Sequence, residues 1–397
     1  VQIKGNGNAL HTYFEENSTV RNTTTLEIDK KFKSGNILKL KQSLGLFDRV
    51  ITLPAYAFSG FNTNSFTDVS YLLKKKKHTI ISGLNIVYDK FKHRNMRVVD
   101  AQTFTVGGYI QDTWDVTNRV ILESGLRVDN MNFKNAGYAK NQTFVLPRVS
   151  ALFKISNKIS SRIGGGLGYK TPTVFTEETE RLQYQKLQAL NKVEAERSVG
   201  GTADINFKTK ITGALTFSIN QLFFYTGISK PLVLSVDGFG NYSFSNAARA
   251  VTSSGFETNL KFIYKEDLKL FVGYTFTHAK AGYLAGNQFL RLVPKNKLNL
   301  TLMYEKENNF KLGLEGYFTD NQFLNSGTRT PSFWEFGFMA QKTFRKVSVF
   351  INFENFTDQR QSNYKTVANA PHNNPSFDDI WNHTEGFVVN GGIKIKL

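Results

Sequence analysis

The chain has 397 residues and a formal net charge of +18, with 50 Lys and Arg against 32 Asp and Glu; 14% of its residues are aromatic, 8 are Pro and none is Cys. The missing cysteines exclude disulfides, thiolate metal sites and cysteine nucleophiles. No run approaches the ~18 apolar residues of a membrane-spanning helix, but a membrane strand conceals its apolar character in alternation.

The chain starts with VQIKGNGNAL, without an initiator Met and without a charged segment leading into an apolar core. The pattern there is already strand-like, so the chain is expected to be a piece of a longer protein. From that point strands of about ten residues follow one another. Short polar turns are expected at Lys33 to Asn36, Lys74 to Lys77, Val116 to Arg119, Ser156 to Lys158, Lys208 to Lys210, Lys265 to Asp267, Lys306 to Asn309, and Arg345 to Lys346. Eight turns joining two strands each, with one further strand at either end, give about eighteen antiparallel strands.

Longer connections are expected at Leu53 to Asn64, Lys134 to Thr143, Thr171 to Ala195, Ser229 to Asn246, His278 to Arg291, Asp320 to Pro331, and Asp358 to Gly386. Many of the basic residues sit at the short turns rather than on a helix or tail. That placement fits solvated turns with some attraction to anionic headgroups, and no nucleic-acid partner is expected.

The strands have two chemically distinct faces, because successive side chains point to opposite sides of a sheet. Leu298, Leu300, Leu302 and Tyr304 share one face, opposed by Asn299, Thr301 and Met303. Phe310, Leu312, Leu314 and Phe318 oppose Lys311, Glu315 and Tyr317. Val199, Ala203, Ile205 and Phe207 oppose Thr202, Asp204 and Asn206, and Val347, Val349, Ile351 and Phe353 oppose Ser348, Asn352 and Glu354. In the stretch GGYIQDTWDVTNRVILESGLRVD the polar face carries Glu123, Arg127 and Asp129.

A soluble β-sandwich also alternates. The strand lengths, the alternating connections, aromatics near strand ends (Trp114, Tyr304, Phe318, Phe344) and charges in mid-strand favour a transmembrane barrel. The expected fold is an all-β, antiparallel transmembrane β-barrel. Lipid lies outside it, and Glu123, Arg127, Asp129, Asp204 and Glu354 face a hydrated lumen. A propeller would need a blade-length repeat, which is not found.

Six motifs in order resemble TonB-dependent outer-membrane receptors. Tyr109-Ile110-Gln111-Asp112 and Gly125-Leu126-Arg127-Val128-Asp129 match a YxQD strand, tight turn and GLRxD strand. LPRVSALFKISNKISSRIGGGLGYKTPTVF resembles the PRxxxxY and GxGxRxP strands, with Lys170 and Thr171 where Arg and Ala are common. VEAERSVGG resembles a PExS strand start, with Ala195 in place of Pro. SGFETNLKF, VPKNKLNLTLMYE and FINFENFTDQRQSNY resemble the last strands, and VNGGIKIKL the terminal one, ending in Leu397 where Phe is usual. In that strand Ile393, Ile395 and Leu397 share the outward face, while Lys394 and Lys396 point inward.

The resemblance implies a 22-stranded barrel with an N-terminal plug. About four strands, the plug and the segment that contacts the TonB complex would then be missing, leaving residues 1–397 as an incomplete barrel domain. It further implies the cell outer membrane, contact with its lipid and lipopolysaccharide, and long loops on the outside.

No enzyme constellation is found. His11, His78, His93, His278, His372 and His383 form no HExxH, no GxSxG occurs, and GGGLGYKT misses the phosphate-loop spacing by one residue. The lumen carboxylates are read as contacts to plug and water rather than as general acids, and no cofactor is expected.

The resemblance implies import of a scarce metal chelate, a ferric siderophore first and cobalamin next. ALNKVEAE stands where haem receptors carry NPNL, and four Met leave no Met-rich copper site. The longest loop supplies the candidate cargo contacts His372, Phe377, Asp379, Trp381 and His383. A passive channel, an outer-membrane enzyme, and an adhesin or docking partner of a surface lipoprotein remain alternatives.

Overall fold

The computed structural model describes residues 12–396. The chain runs through β1 (Glu16–Lys31), β2 (Ile37–Leu53), β3 (Tyr56–Lys75), β4 (His78–His93), β5 (Ala101–Asp115), β6 (Val120–Asn135), β7 (Tyr138–Lys154) and β8 (Ile159–Lys170). A short helix α1 (Glu177–Arg181) precedes β9 (Glu196–Lys210) and β10 (Leu215–Ser229). A small hairpin, β11 (Leu232–Val236) and β12 (Tyr242–Asn246), follows, then β13 (Val251–Tyr264), β14 (Leu268–Ala281), β15 (Asn296–Lys306), β16 (Phe310–Thr319), β17 (Phe333–Phe344) and β18 (Val347–Glu354). The two-residue β19 (Ala368–Asn369) and β20 (Ser376–Phe377) precede β21 (Val388–Ile395).

Seventeen strands form one antiparallel sheet in which each pairs with the next wall strand along the chain. Among the described residues β1 pairs only with β2 and β21 only with β18, so the sheet is not closed. The expected opening strand and the side chain of Leu397 lie outside the described residues. No helix among the described residues is long and apolar enough to cross a membrane.

The register carries one apolar face from strand to strand. Leu270, Leu302, Leu314, Phe338, Phe353 and Val389 stand in a single cross-strand row over six strands. The neighbouring row on the other face runs Phe271, Thr301, Glu315, Gly337. A slip of one residue anywhere would exchange the two faces. Where a polar side chain falls on the apolar face it meets a partner: Thr258 Oγ1 donates to Gln221 Oε1 at 2.6 Å and Thr67 Oγ1 to Gln42 Oε1 at 2.5 Å.

Aromatic pairs bracket the apolar band: Tyr304 with Phe310 at 5.4 Å on one side, Phe318 with Trp334 at 5.3 Å on the other. Phe310 and Phe318 are about 26 Å apart along β16 at about 3.3 Å per residue, close to the height of an outer-membrane apolar band.

The eight expected turns all occur, seven of them in place. At the fifth, Lys208 to Lys210 belong to β9, and the chain turns at residues 211–214, where Thr212 Oγ1 accepts from the Leu215 N–H at 3.1 Å. Two expected long connections are instead tight turns. β2 and β3 meet across Pro54 and Ala55, and β6 and β7 across Ala136 and Gly137, whose φ of 110° suits glycine.

Leu53 to Asn64 and Lys134 to Thr143 are therefore mostly strand. β1 to β7 have 15 to 20 residues, beyond the ~9–11 that span a bilayer, and their excess rises past the apolar band. There the outer face no longer needs to be apolar, so Gly, Asn and Ser in FSGFNTNSF do not mark a loop. Gly60 is required within β3: a Cβ there would lie 2.1 Å from the ring of Phe91.

This extension creates the hydrophobic core. Ile51, Phe58, Phe91, Met131, Phe133 and Phe144 project from the inner face of the raised strands, and Val174, Leu190 and Val193 of the 171–195 connection pack on them, all buried. Each fully buried side chain of this size contributes roughly 1.5–3 kcal/mol. Polar contacts register the connection: Tyr138 Oη donates to the Val193 carbonyl at 2.9 Å, and the Ala195 N–H to Gln142 Oε1 at 3.0 Å. Thr176 caps α1 in a reciprocal box with Thr179. The connection is thus a folded cap inside the loop-end mouth.

The two faces predict unequal responses to charge. Leu300→Arg should destabilise the full-length protein in a bilayer by about 2–4 kcal/mol if near the midplane, and Thr301→Arg only mildly. Denaturant unfolding in lipid vesicles measures the difference.

Candidate functional site

The last long connection, residues 355–387, folds over the loop end on the other side of the mouth. Its pin is Gln361, fully buried, a residue that no sequence pattern singled out. Gln361 Nε2 donates to the Asp379 carbonyl at 2.8 Å, its Oε1 accepts from the Trp381 N–H at 3.0 Å, and its own N–H donates to the His383 carbonyl at 2.8 Å. One residue, two of the bonds through its side chain and one through its backbone, thereby sets the backbone of three of the five predicted cargo residues.

Those five residues are not brought into one site. Asp379 is 8% exposed and ties loops together: its carboxylate pairs with Arg181 of α1 and accepts from the Asn325 N–H at 2.7 Å and Asn325 Nδ2 at 2.9 Å. Phe377 lies in β20, its ring 5.7 Å from that of Tyr13. His372 is exposed on the segment between β19 and β20.

Of the five, Trp381 and His383 line the cleft that the loop forms with the inner wall. The Trp381 ring sits 5.9 Å from Phe333 and 5.6 Å from Tyr364, and its carbonyl accepts from the buried Gln322 at 3.2 Å. His383 Nε2 meets Glu335 Oε2 of β17 at 2.6 Å.

The cleft has a volume of about 720 Å³ and is shared by Trp381, His383 and Phe333 with Tyr317, Glu335 and Lys297 from the inner face of β15 to β17. Glu177 and Glu385 add two further carboxylates. An aromatic floor with convergent charged groups suits an amphipathic, hydrogen-bonding ligand of a few hundred Å³. Among the described residues no group of three or more His, Cys, Asp or Glu is placed to hold a bare metal ion. His11 lies outside the described residues.

The five residues expected in the lumen share the face of the sheet opposite the apolar row. Arg127 and Asp129 pair at 2.8 Å, with Arg127 Nη2 donating to Asn85 at 2.7 Å and Tyr169 Oη to Asp129 at 3.0 Å. Glu123 lies 3.9 Å from Arg148, Asp204 stands opposite Arg162 in the register, and Glu354 accepts from Asn390 at 2.5 Å. The GLRVD strand thus forms a buttress in the wall rather than an open site.

The chain belongs to the TonB dependent receptor-like β-barrel family, whose model matches residues 4–356. The fold is similar to the FrpB iron transporter from Neisseria meningitidis (TM-score 0.74, 13% identity, covering 96% of this chain and 63% of that one). It is equally similar to the copper transporter OprC (TM-score 0.74, 13% identity, 96% and 66%). The ferric-catecholate import receptor Fiu from E. coli K12 gives a TM-score of 0.71 at 11% identity, covering 96% and 65%. The chain thus spans 63–66% of the length of these structures. The family implies an outer-membrane location.

The ties between loops predict a local, pH-sensitive effect. Asp379→Ala removes an ion pair and two hydrogen bonds, each charge-assisted contact being worth roughly 1.5–3 kcal/mol. Hydrogen exchange should rise in residues 320–332 and 355–387 while the wall strands stay protected. The neighbouring Asp378 is held below the usual aspartate range by its hydrogen bond to Lys365, and by Asn369. A lowered carboxylate stabilises the fold above its unfolded pKa and loses that contribution as pH falls through the folded one. The loop should therefore stay protected at neutral pH and loosen only below the ordinary aspartate range.

Proposed function

We propose that the chain is the barrel portion of an outer-membrane importer that captures a scarce metal chelate, a ferric siderophore first, and moves it inward with energy from the TonB complex. Long connections at one end of the wall face outside, and the tight turns face the periplasm. In this reading further strands and a plug complete the barrel, in keeping with the edges of β1 and β21, which have no second strand partner among the described residues. No catalytic role is assigned.

One observation carries the cargo reading: Trp381 and His383, from the longest connection, and Tyr317 and Glu335, from the inner wall, face a single cleft inside the mouth. A chelate has flat organic arms and a polar coordination core, which match an aromatic surface beside donors and acceptors. The loops are pinned by Gln361 and Asp379, so the contacts are preorganised and little ordering is required on binding.

The test is uptake of radiolabelled ferric siderophore by cells that lack other receptors. Trp381→Ala combined with His383→Ala in the full-length receptor should lower uptake about tenfold or more, as loss of a buried aromatic anchor does, with unchanged surface exposure. Normal uptake would remove the cleft from the cargo path. No uptake even by the unaltered receptor would redirect the search to other chelates, cobalamin among them.

A further inference from the structure

The opposite end of the lumen has a different chemistry. Around the turns that join β7 to β8 and β9 to β10, two adjoining clefts of about 800 Å³ each open on the inner face. Lys158 and Lys208 line both and are linked by a hydrogen bond from the Lys208 N–H to the Lys158 carbonyl at 2.9 Å. Arg119 and Lys154 border the first, Lys210 and Lys261 the second.

Within the wall, Lys208 stands opposite Ser218, and Ser218 opposite Lys261. Two ammonium groups therefore flank one hydroxyl across three strands. Among the described residues none of these six cations forms an ion pair, and Glu266 is the single carboxylate lining either cleft. Lys261 Nζ lies over the ring of Phe271, 5.1 Å from its centroid.

Like charges at neighbouring sheet positions repel, and a concave wall of one sign concentrates counter-ions. Ser160 and Asn206 supply neutral hydrogen-bonding groups between the cations. Five of the six are Lys, mobile point charges that hold an anion without the fixed fork of an Arg.

We propose that this wall is an anion-holding site just inside the turn-end mouth, taking small, multiply charged oxyanions such as polycarboxylates or polyphosphates. Each cleft has the volume of a small-molecule site rather than the breadth of a protein interface. The importer reading supplies only the direction of passage: an anionic ligand released from the loop-end cleft, where carboxylates gather, would meet its counter-charges on the way out. Several weakly holding cations favour entry without trapping the ligand.

Calorimetric titration of the full-length receptor in nanodiscs, at low salt, with sodium citrate and separately with sodium pyrophosphate tests the site. Saturable binding is expected, weakened about tenfold or more in Lys158→Gln/Lys208→Gln/Lys261→Gln, a change of one or more decades in Kd. Binding should persist in the matching Arg triple. The control Lys74→Gln/Lys75→Gln/Lys77→Gln removes equal charge at another turn and should bind like the unaltered receptor. Heat-modifiable migration reports that each barrel has formed. Should the Gln triple not insert, Lys208→Gln alone should weaken binding about threefold.

Equal loss in both Gln triples would mean a net-charge effect and overturn the site. Absence of binding to the unaltered receptor would also overturn it, as when an acidic segment of the full chain covers the wall. The titration contains no metal and no uptake step, so its outcome is independent of whether the loop-end cleft holds a ferric siderophore.

Discussion

Cross-strand registry is the constraint on which everything else in the molecule rests. In hydrocarbon no water is present to satisfy a backbone amide, so each strand must be paired along its length with its neighbours. Once the pairing is set, so is the side to which each side chain points. The row from Leu270 to Val389 is apolar across six strands because the register aligns it, and the Arg127–Asp129 pair faces the lumen for the same reason. The free edges of β1 and β21 leave backbone groups without strand partners among the described residues, a state that lipid does not tolerate.

Above the apolar band the same strands serve another purpose. Lipid no longer dictates their outer face, while their inner face becomes the template for a core of ordinary protein type. Phe58, Met131, Phe133 and Phe144 accept the 171–195 cap, and the aromatic rings of Phe144 and Tyr169 stack 3.9 Å apart beneath it. Across the mouth, the 355–387 connection fully buries none of its large apolar side chains and depends on hydrogen bonding to Gln361 and Asp379. The Arg181–Asp379 pair joins the two lids, so a movement of either is felt by the other. The first lid is held by hydrophobic burial and the second by polar ties, which makes the second the easier one to open.

The lumen is polarised along its length. Carboxylates and aromatics gather at the loop-end cleft, cations at the turn-end wall, with the Asp129 buttress between them in the β5 to β7 sector. Side chains on the inner face are free to vary in charge because they need satisfy only water or a partner, whereas the outer face is restricted to apolar groups and self-paired polar ones such as Gln221 with Thr258.

Much of the wall was legible from the residues alone. Alternation at Leu298 to Tyr304 and Phe310 to Phe318, and polar turns such as Lys74 to Lys77, define strands, faces and hairpins, because period-two patterning and turn chemistry are local properties. The two hairpin heads taken for loops mark where that reasoning stops: beyond the lipid the outer-face pattern lapses although the pairing continues. The candidate site was legible only as a region. Trp381 and His383 share a cleft while Asp379 is committed to Arg181 and Asn325, and Gln361, unremarkable in the sequence, holds the loop in shape. Those assignments follow from contacts between segments up to about two hundred residues apart, made as one partner buries the other. The six cations of the turn-end wall are likewise scattered in the chain, and only the register of β9, β10 and β13 sets Lys208 and Lys261 on either side of Ser218. The sequence by itself determined what each strand could face; the tertiary structure decided what each side chain meets there, because meeting depends on register between distant strands and on loops folding over them.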